Sequence, residues 1–271
     1  MKTLFYENND EFFNTKRLRE LAHEEVVNSP LIRRCMTGEF SGAQALSIGF
    51  WPFVSAFENA IDVRLANGGL PREPLYQKFD KSMAKSQLIK VARTIRALAR
   101  SEIEAIFEGA GEALRDMQVE EKTHSAHWRK DAENLGIGDD RLSRAPTVSG
   151  ISQLIAGVYN GELTKFFATL AATEFIAEEL AAVLASNPRY TDLFTRKRAI
   201  WMEVHAAPHE ELSHLDIDID LMRAYSDEDD RSEALQDLVI FGIRLFGLAS
   251  RQIDRQFVLK GTSYRFPPAA A

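Results

Sequence analysis

Apolar residues recur every three or four positions along most of this chain, which is the spacing of helices that bury one face. Ala, Leu, Glu, Lys and Arg fill these stretches and favour helix. The pattern predicts helices over residues 12–28, 40–67, 83–108, 112–135, 150–186, 190–206, 208–224 and 230–259. We therefore expect an all-α protein built as a helical bundle.

The predicted breaks between helices fall where glycine, proline and asparagine favour turns. They are Asn67–Pro71, Gly136–Asp140, Asn187–Pro188 and Tyr225–Asp227. The sequence has no internal repeat, and its low-complexity part is the PPAAA end. We expect a single domain over residues 1–271, with a core of about 28–258 and a flexible tail at 266–271.

The composition argues against several classes of protein. The chain is 45% apolar and 27% charged, which suits a soluble protein with a sizeable core. Its net charge of −7 gives no overall positive field, so neither nucleic acid nor an anionic membrane is an expected partner. Glycine and proline are scarce, which disfavours an all-β fold. No apolar run approaches the roughly 18 residues of a membrane span, and we expect a soluble, unprocessed protein.

Short motifs narrow the chemistry further. Cys35 is the single cysteine, so an internal disulfide or a Cys-x-x-Cys redox pair is excluded and a reducing cytoplasm is expected. The sequence contains no GxGxxG, GxxxxGK[ST] or GxSxG motif. We therefore set aside nucleotide-binding α/β folds and α/β-hydrolases.

Five of the six histidines fall in two short helical segments. In the first, VEEKTHSAHW, a step of about 100° per residue places Glu120, Glu121, His124 and His127 within an arc of roughly 120°. Glu121 and His124 have the i, i+3 spacing through which neighbouring turns present an oxygen and a nitrogen to one metal ion. A solvated helix face with weak side-chain pairs would give the same pattern.

The second segment, WMEVHAAPHEELSHLDIDID, nearly contains the zinc-protease motif HExxH. Its histidines, His209 and His214, are five residues apart and so lie roughly 140° apart on a helix, which excludes a shared zinc ion. Glu210 and Glu211 precede His214 by four and three residues, so either carboxylate suits a place beside its imidazole.

His205 would lie about 180° from His214 on an unbroken helix. Pro208 forces a kink or a new helix between them, which would turn both imidazoles towards one interior. Alternatively, Pro208 begins a helix with an acidic first turn and the histidines are exposed.

Two glutamates stand in apolar stretches, where a buried carboxylate is costly unless it is paired or bound to metal. Glu174 lies among small apolar residues, and Glu58 follows an aromatic run. Either suits a site made of two glutamates and two Glu/His pairs. The alternative for Glu174 is a surface position, because Glu178 and Glu179 follow it at helical spacing.

Three segments of the sequence resemble the heme-oxygenase-like superfamily, which includes thiaminase II, pyrroloquinoline-quinone synthase and the heme-oxygenase-like diiron oxidases. The segment SPLIRRCMTGEFSGAQALSIGFWPFVSAFENAI is similar to the family's opening, with a helix start at Pro30 and a turn at Gly38. The segment EEKTHSAHWRKDAENLGI resembles its Glu-x-x-His-x-x-x-Trp helix. Glu174 and the segment His205–His214 stand where diiron members place a glutamate and then a His…Asp…His helix. The resemblance covers roughly residues 28–258.

The resemblance implies a non-heme diiron enzyme with two Fe(II) ions per chain and O₂ as co-substrate. Its substrate would be a small organic molecule such as an amino acid, an amine or a fatty acid, and relatives of this kind are usually homodimers. The iron ligands that it implies are Glu121, His124, Glu174, His205, Glu210 or Glu211, and His214, with Glu58 as a further candidate. The late motif departs from the family pattern, because it has glutamate for aspartate, two extra residues and a proline.

Two other functions remain open. Metal-free or single-metal relatives bind a heterocycle: thiaminase II uses a cysteine nucleophile, whereas quinone-synthase relatives use histidines and arginines. A non-catalytic helical interaction protein with surface histidines is the other alternative. One predicted helix carries four aromatic residues, Phe50, Trp51, Phe53 and Phe57. If the protein is an enzyme, they either line an apolar pocket or form part of the core.

Overall fold

The computed structural model of the chain describes residues 13–71, 100–194, 197–207, 213–226 and 232–259. The helices in these ranges are α1 (Thr15–Asn28), α2 (Pro30–Met36), α3 (Phe40–Ala66), α4 (Arg100–Asn134), α5 (Asp139–Ser143), α6 (Ser149–Val158), α7 (Leu163–Ala185), α8 (Pro188–Thr191), α9 (Ile200–Ala206), α10 (His214–Tyr225) and α11 (Ser232–Ile253). Helix α11 continues as a π-helical turn, Asp254–Leu259. No β-strand occurs in the described ranges, and the all-α prediction is confirmed.

Local sequence explains where the first helices begin. The Asn14 side chain accepts a hydrogen bond from the Arg17 amide at 3.0 Å and caps α1. The Ser29 hydroxyl accepts from the Ile32 amide at 3.3 Å, and Pro30 occupies the first position of α2. Both arrangements satisfy amides that a helix start leaves unpaired.

Helices α7 and α10 lie at the centre of the bundle. Helix α10 is buried from His214 to Met222, and α7 packs against α1, α9, α10 and α11. On the flank of this pair, α3 packs against α4, which also contacts α9 and α10. A polar side chain on a helix that is buried on all sides needs a partner or a ligand. The buried acidic residues of α7 and α10, such as Glu174 and Asp218, therefore need a partner or a ligand to compensate their loss of contact with water.

Several predicted helix boundaries are wrong. The break predicted between 108 and 112 is absent, because α4 runs through Gly109 and Gly111, and a single glycine costs a helix only about 1 kcal/mol. The helix predicted over 150–186 is two helices, separated at Asn160–Gly161, a turn-forming pair.

The helix predicted over 190–206 is also interrupted. Between α8 and α9, Lys197 has a left-handed backbone with φ of 56°, which an α-helix does not accept. Residues 12, 83–99, 195–196, 208–212 and 230–231 of the predicted helices lie outside the described ranges, as does the predicted tail at 266–271.

The remaining boundaries agree closely with the sequence. Helices α1, α3 and α11 occupy the predicted stretches, and the turn after α3 contains Gly68 and Gly69, both with positive φ. The helix start expected at Pro30 and the turn at Gly38 are present as well. Among the described residues, no helix combines the length and the apolar character needed to cross a bilayer.

Candidate metal centre

Helix α4 brings the predicted pair Glu121 and His124 into the interior. Glu121 is 7% exposed, and its Oε1 lies 3.4 Å from His124 Nδ1. The i, i+3 spacing places both side chains on one face of the helix, as the sequence indicates. Neither of these two atoms has a hydrogen-bond partner in the part of the chain that the structure describes.

Glu174 from α7 and His214 from α10 meet Glu121 at this point. His214 Nδ1 lies 3.5 Å from Glu121 Oε1 and 3.9 Å from Glu174 Oε1. One ligand atom from each of the three residues lies within 4.8 Å of those from the other two, and all three residues are buried. Three helices that are distant in sequence thus bring two carboxylates and one imidazole together.

The second ring nitrogen of His214 has a carboxylate partner. His214 Nε2 lies 2.7 Å from Glu120 Oε2, and the Glu120 side chain is 55% exposed. A carboxylate can only accept at neutral pH, so Nε2 carries the hydrogen and Nδ1 faces Glu121 and Glu174. This is the arrangement that orients a metal-binding histidine.

His205, at the end of α9, completes a cluster of three imidazoles. Its ring centroid lies 4.3 Å from that of His124, and the His124 and His214 centroids are 5.9 Å apart. His205 Nδ1 lies 2.9 Å from the Trp201 carbonyl oxygen, to which it must donate, so Nε2 keeps its lone pair. Burial, aided by the charge of His124, lowers the pKa of His205 to about 3 and keeps its ring neutral.

Asp218 is the residue of this cluster that the sequence interpretation missed. It lies one turn after His214 in α10 and is completely buried. Neither of its oxygens has a hydrogen-bond partner among the described residues. Burial and the neighbouring Glu174 carboxylate raise the pKa of Asp218 well above its usual value. The His214-x-x-x-Asp218 spacing, which places both side chains on one face of a helix, was the signal that could have found it.

The carboxylates and imidazoles perturb one another. Burial alone would raise the pKa of Glu121, but His124 and His214 outweigh it and lower this pKa. Burial raises the pKa of Glu174, with the Glu121 carboxylate adding to the shift. Burial opposes a charged His214, yet Glu120 and Glu121 raise its pKa.

These shifts favour an ionised Glu121, whereas Glu174 and Asp218 bind protons more readily than they would in water. A divalent cation would replace those protons and compensate the negative charge. The orphaned oxygens of Glu121 and Asp218 fit such an ion, as does the neutral imidazole of His205. Mixed carboxylate and imidazole donors suit Fe(II) or a similar divalent ion.

The other candidate ligands are placed differently. The Glu58 carboxylate accepts a hydrogen bond from the Ser125 hydroxyl at 2.5 Å and is not part of the group of close ligand atoms. Glu210 and Glu211 lie outside the described residues. His127 is also outside the group, although it is one turn from His124.

An apolar cavity of about 60 Å³ is lined by residues of the same helices. Its lining consists of Phe50, Phe53, Val54, Trp128, Leu154, Ala172, Thr173, Ile176, Ala177, Leu180, Trp201, Gly242 and Phe246. Trp201 stacks on His205 with ring centroids 3.8 Å apart, and Thr173 directly precedes Glu174. The cavity and the cluster are therefore neighbours.

Two of the four aromatic residues considered for a pocket line this cavity. They are Phe50 and Phe53, and Phe50 also stacks on Phe246 at 4.8 Å. Trp51 instead packs beneath the Arg129 guanidinium, and Phe57 contacts the edge of Phe53. The aromatic run thus serves both as pocket and as core.

No protein-family model matches the chain, and no curated protein matches its sequence. The structure is similar to that of a TenA homolog from Pseudomonas syringae pv. tomato, with a TM-score of 0.58 and 15% sequence identity. The similarity covers 89% of this chain and 92% of that one. It shows a TenA-like, heme-oxygenase-like helical fold, which confirms the fold expected from the resemblance.

Proposed function

We propose that the chain is an enzyme that holds at least one divalent metal ion on Glu121, Glu174 and His214. It would act on a small organic molecule in the adjoining apolar cavity. The observation that carries this proposal is the buried group of three ligand atoms within 4.8 Å of one another. The TenA-like fold supports an enzyme. So does the cavity beside ionisable groups, because this is the usual form of an active site.

The residues around the metal would each have a defined part. Glu121 and Glu174 supply negative charge, and Glu120 holds the His214 ring so that Nδ1 points at both. Burial excludes water and strengthens each electrostatic interaction in the cluster. Bound iron would supply reactivity towards O₂, which protein side chains lack.

The TenA-like fold is compatible with an enzyme of the thiaminase II kind, but the chain offers no cysteine suited to be its nucleophile. Cys35 is its single cysteine, and the residue is fully buried in α2. Burial raises the pKa of the thiol far above neutrality, which disfavours the reactive thiolate. This argues against the cysteine-dependent alternative, and the three close ligand atoms favour a metal-dependent member of the fold.

A second candidate function is a diiron oxidase or oxygenase that uses O₂. The observation that favours it is a further set of donors beside the triad, namely His124, His205 and Asp218. His124 Nδ1 and both Asp218 oxygens are buried without hydrogen-bond partners among the described residues. Such donors would suit a second Fe(II) ion.

Anaerobic titration of metal-stripped protein with Fe(II), with bound iron counted per chain, tests both candidates. One tightly bound iron supports the single-metal enzyme, and two support the diiron enzyme. No bound iron, together with an unchanged melting temperature, would contradict both proposals.

Two variants locate the iron. We expect His214→Ala to lower Fe(II) affinity by more than about 100-fold and His124→Ala by at least about tenfold. His23→Ala is the matched control, because His23 pairs with Glu179 on the surface. If both cluster variants bind iron as tightly as this control, the site assignment is wrong.

A further inference from the structure

The described lining of the apolar cavity carries no charged side chain. The hydroxyl group in this lining belongs to Thr173, and it donates to the Thr169 carbonyl oxygen at 2.8 Å. The Trp128 indole N–H donates to the Ser47 carbonyl oxygen at 3.0 Å. The other side-chain N–H in this lining is the indole N–H of Trp201. A ligand that needs several hydrogen bonds would lose them on entering, at a substantial cost.

The cavity is also small. Its volume of about 60 Å³ is well below the roughly 150 Å³ of a cavity that accepts a benzene ring. Close contact between α7 and α11 limits the space, since a Cβ atom added at Gly242 would lie 2.5 Å from that of Ala172. Such a space can hold a few methylene groups of a chain, whereas a ring has to enter it whole.

One end of the cavity adjoins the candidate metal ligands. Trp201 lines the cavity with its indole, stacks on His205 and binds the His205 ring through its carbonyl oxygen. On α7, Ala177 lines the cavity one turn after Glu174. A chain in the cavity would therefore contact α7 about one helical turn, roughly 5 Å along the helix axis, from Glu174.

We infer that the substrate presents an unbranched alkyl segment to this cavity, rather than a hydrogen-bonding heterocycle. To call this ligand a substrate rests on the proposed function. The binding of the alkyl segment itself does not require a metal ion. The contacts that would hold the alkyl segment are those of Phe50, Ile176 and Leu180.

Linear primary alcohols from ethanol to octanol measure this preference directly. Calorimetry and tryptophan fluorescence would follow their binding to the full chain, with and without Fe(II), because Trp128 and Trp201 line the cavity. We expect affinity to rise about fourfold per methylene until the cavity is filled and then to level off. Affinity independent of chain length, or tighter binding of 4-aminopyrimidine than of an alcohol with as many heavy atoms, would overturn the inference.

Paired substitutions on α7 place the alcohols in this cavity. Ala177→Leu fills the space, and we expect it to weaken pentanol binding at least tenfold. Ala182→Leu, an exposed position of the same helix, is the matched control and should change binding less than twofold. Leu180→Ala removes three carbons from the lining, so the plateau should move to alcohols longer by two or three carbons.

Melting temperatures show whether each variant is folded, and Leu180→Ala keeps the test decisive if Ala177→Leu does not fold. An unchanged plateau in Leu180→Ala would contradict the inference. Because the alcohols are also tested without metal, failure of the alkyl preference leaves the iron count intact. A chain that binds alcohols but no iron would contradict the proposed function alone.

Discussion

The polar cluster and the apolar cavity are built from the same helices, one turn apart. The neighbouring pairs are His124 and Trp128 on α4, Glu174 and Ala177 on α7, and His205 and Trp201 on α9. The cluster gathers acids and imidazoles whose pKa values are strongly shifted, whereas the described lining of the cavity holds no charge.

This difference shows how one bundle can separate chemistry from recognition. The 3.6-residue period turns successive side chains of each helix to different neighbours, so the register of three helices fixes the distance between the polar cluster and the cavity. The apolar side also lowers the local dielectric constant, which strengthens the interactions of the polar side. Substitutions that affect one side and spare the other test the separation.

Glu174→Gln should have the largest effect, and it should be confined to the polar cluster. The amide keeps the shape of the side chain but removes the charge that a metal ion needs, so we expect Fe(II) affinity to fall by more than about 100-fold, roughly 3 kcal/mol. Glu179→Gln, on the same helix and paired with His23, is the control. Isothermal titration with Fe(II) measures both variants.

The same titrations with pentanol complete the test. Glu174→Gln should keep pentanol affinity within about twofold, because Glu174 does not line the cavity. If iron and pentanol affinity fell together, the two regions would not be separable and the comparison would fail.

Asp131→Ala should disturb both regions at once, by a smaller amount. The Asp131 carboxylate accepts from the amides of Ile200 at 2.9 Å and Trp201 at 2.8 Å, and so caps α9 from α4. Loss of this cap should cost about 1–2 kcal/mol and lower the melting temperature by about 3–6 °C. Since α9 carries His205, Fe(II) affinity should fall about tenfold.

Glu133→Ala is the control for that change, because Glu133 lies on the same helix in an exposed pair with Lys130. It should alter stability by less than about 0.5 kcal/mol. Equal melting temperatures for the two variants would mean that the cap does not hold α9.

The stability lost in Asp131→Ala should also depend on pH. Burial raises the pKa of Asp131 from 3.8 to about 6, although the two amides oppose the shift. A folded-state pKa above the unfolded value adds stability that is complete below about pH 4 and is lost as the pH rises through 6. Denaturation at pH 7.5, 6 and 5 should therefore show the gap between wild type and variant widening as the pH falls, and a constant gap would contradict this.

The parts of the cluster that lie within one helix could be predicted from the sequence. Glu121 and His124 share a face of α4 because of their spacing, whatever the rest of the fold does. His205 and His214 were expected to meet only if the chain broke between them, and in the structure α9 ends at Ala206 while α10 begins at His214.

The remaining placements depend on which side of a helix is covered, and spacing does not reveal that. Glu58 stands in an apolar stretch as Glu174 does, yet it pairs with Ser125. The alternation of Asp216, Asp218 and Asp220 reads as a solvated stretch, but α10 is buried on all sides. Only the packing of neighbouring helices distinguishes such cases.

Asp218→Leu should have the smallest effect on stability, and its sign is informative. Asp218 is buried without a hydrogen-bond partner among the described residues, so an apolar side chain of similar shape should raise the stability of the metal-free protein by about 1 kcal/mol. The same change should remove a donor from the second candidate metal position. We therefore expect fewer bound iron ions per chain, but a higher melting temperature without metal.

Asp216→Asn provides the contrast, two residues earlier in α10. The Ser213 hydroxyl donates to Asp216 Oδ2 at 2.6 Å and accepts from the Asp216 amide at 3.2 Å, which closes the start of the helix. Asparagine weakens this cap, so the melting temperature should fall slightly while the iron count stays unchanged. Opposite shifts in two adjacent acids would show that α10 uses one for folding and keeps the other, at a cost in stability, for binding metal.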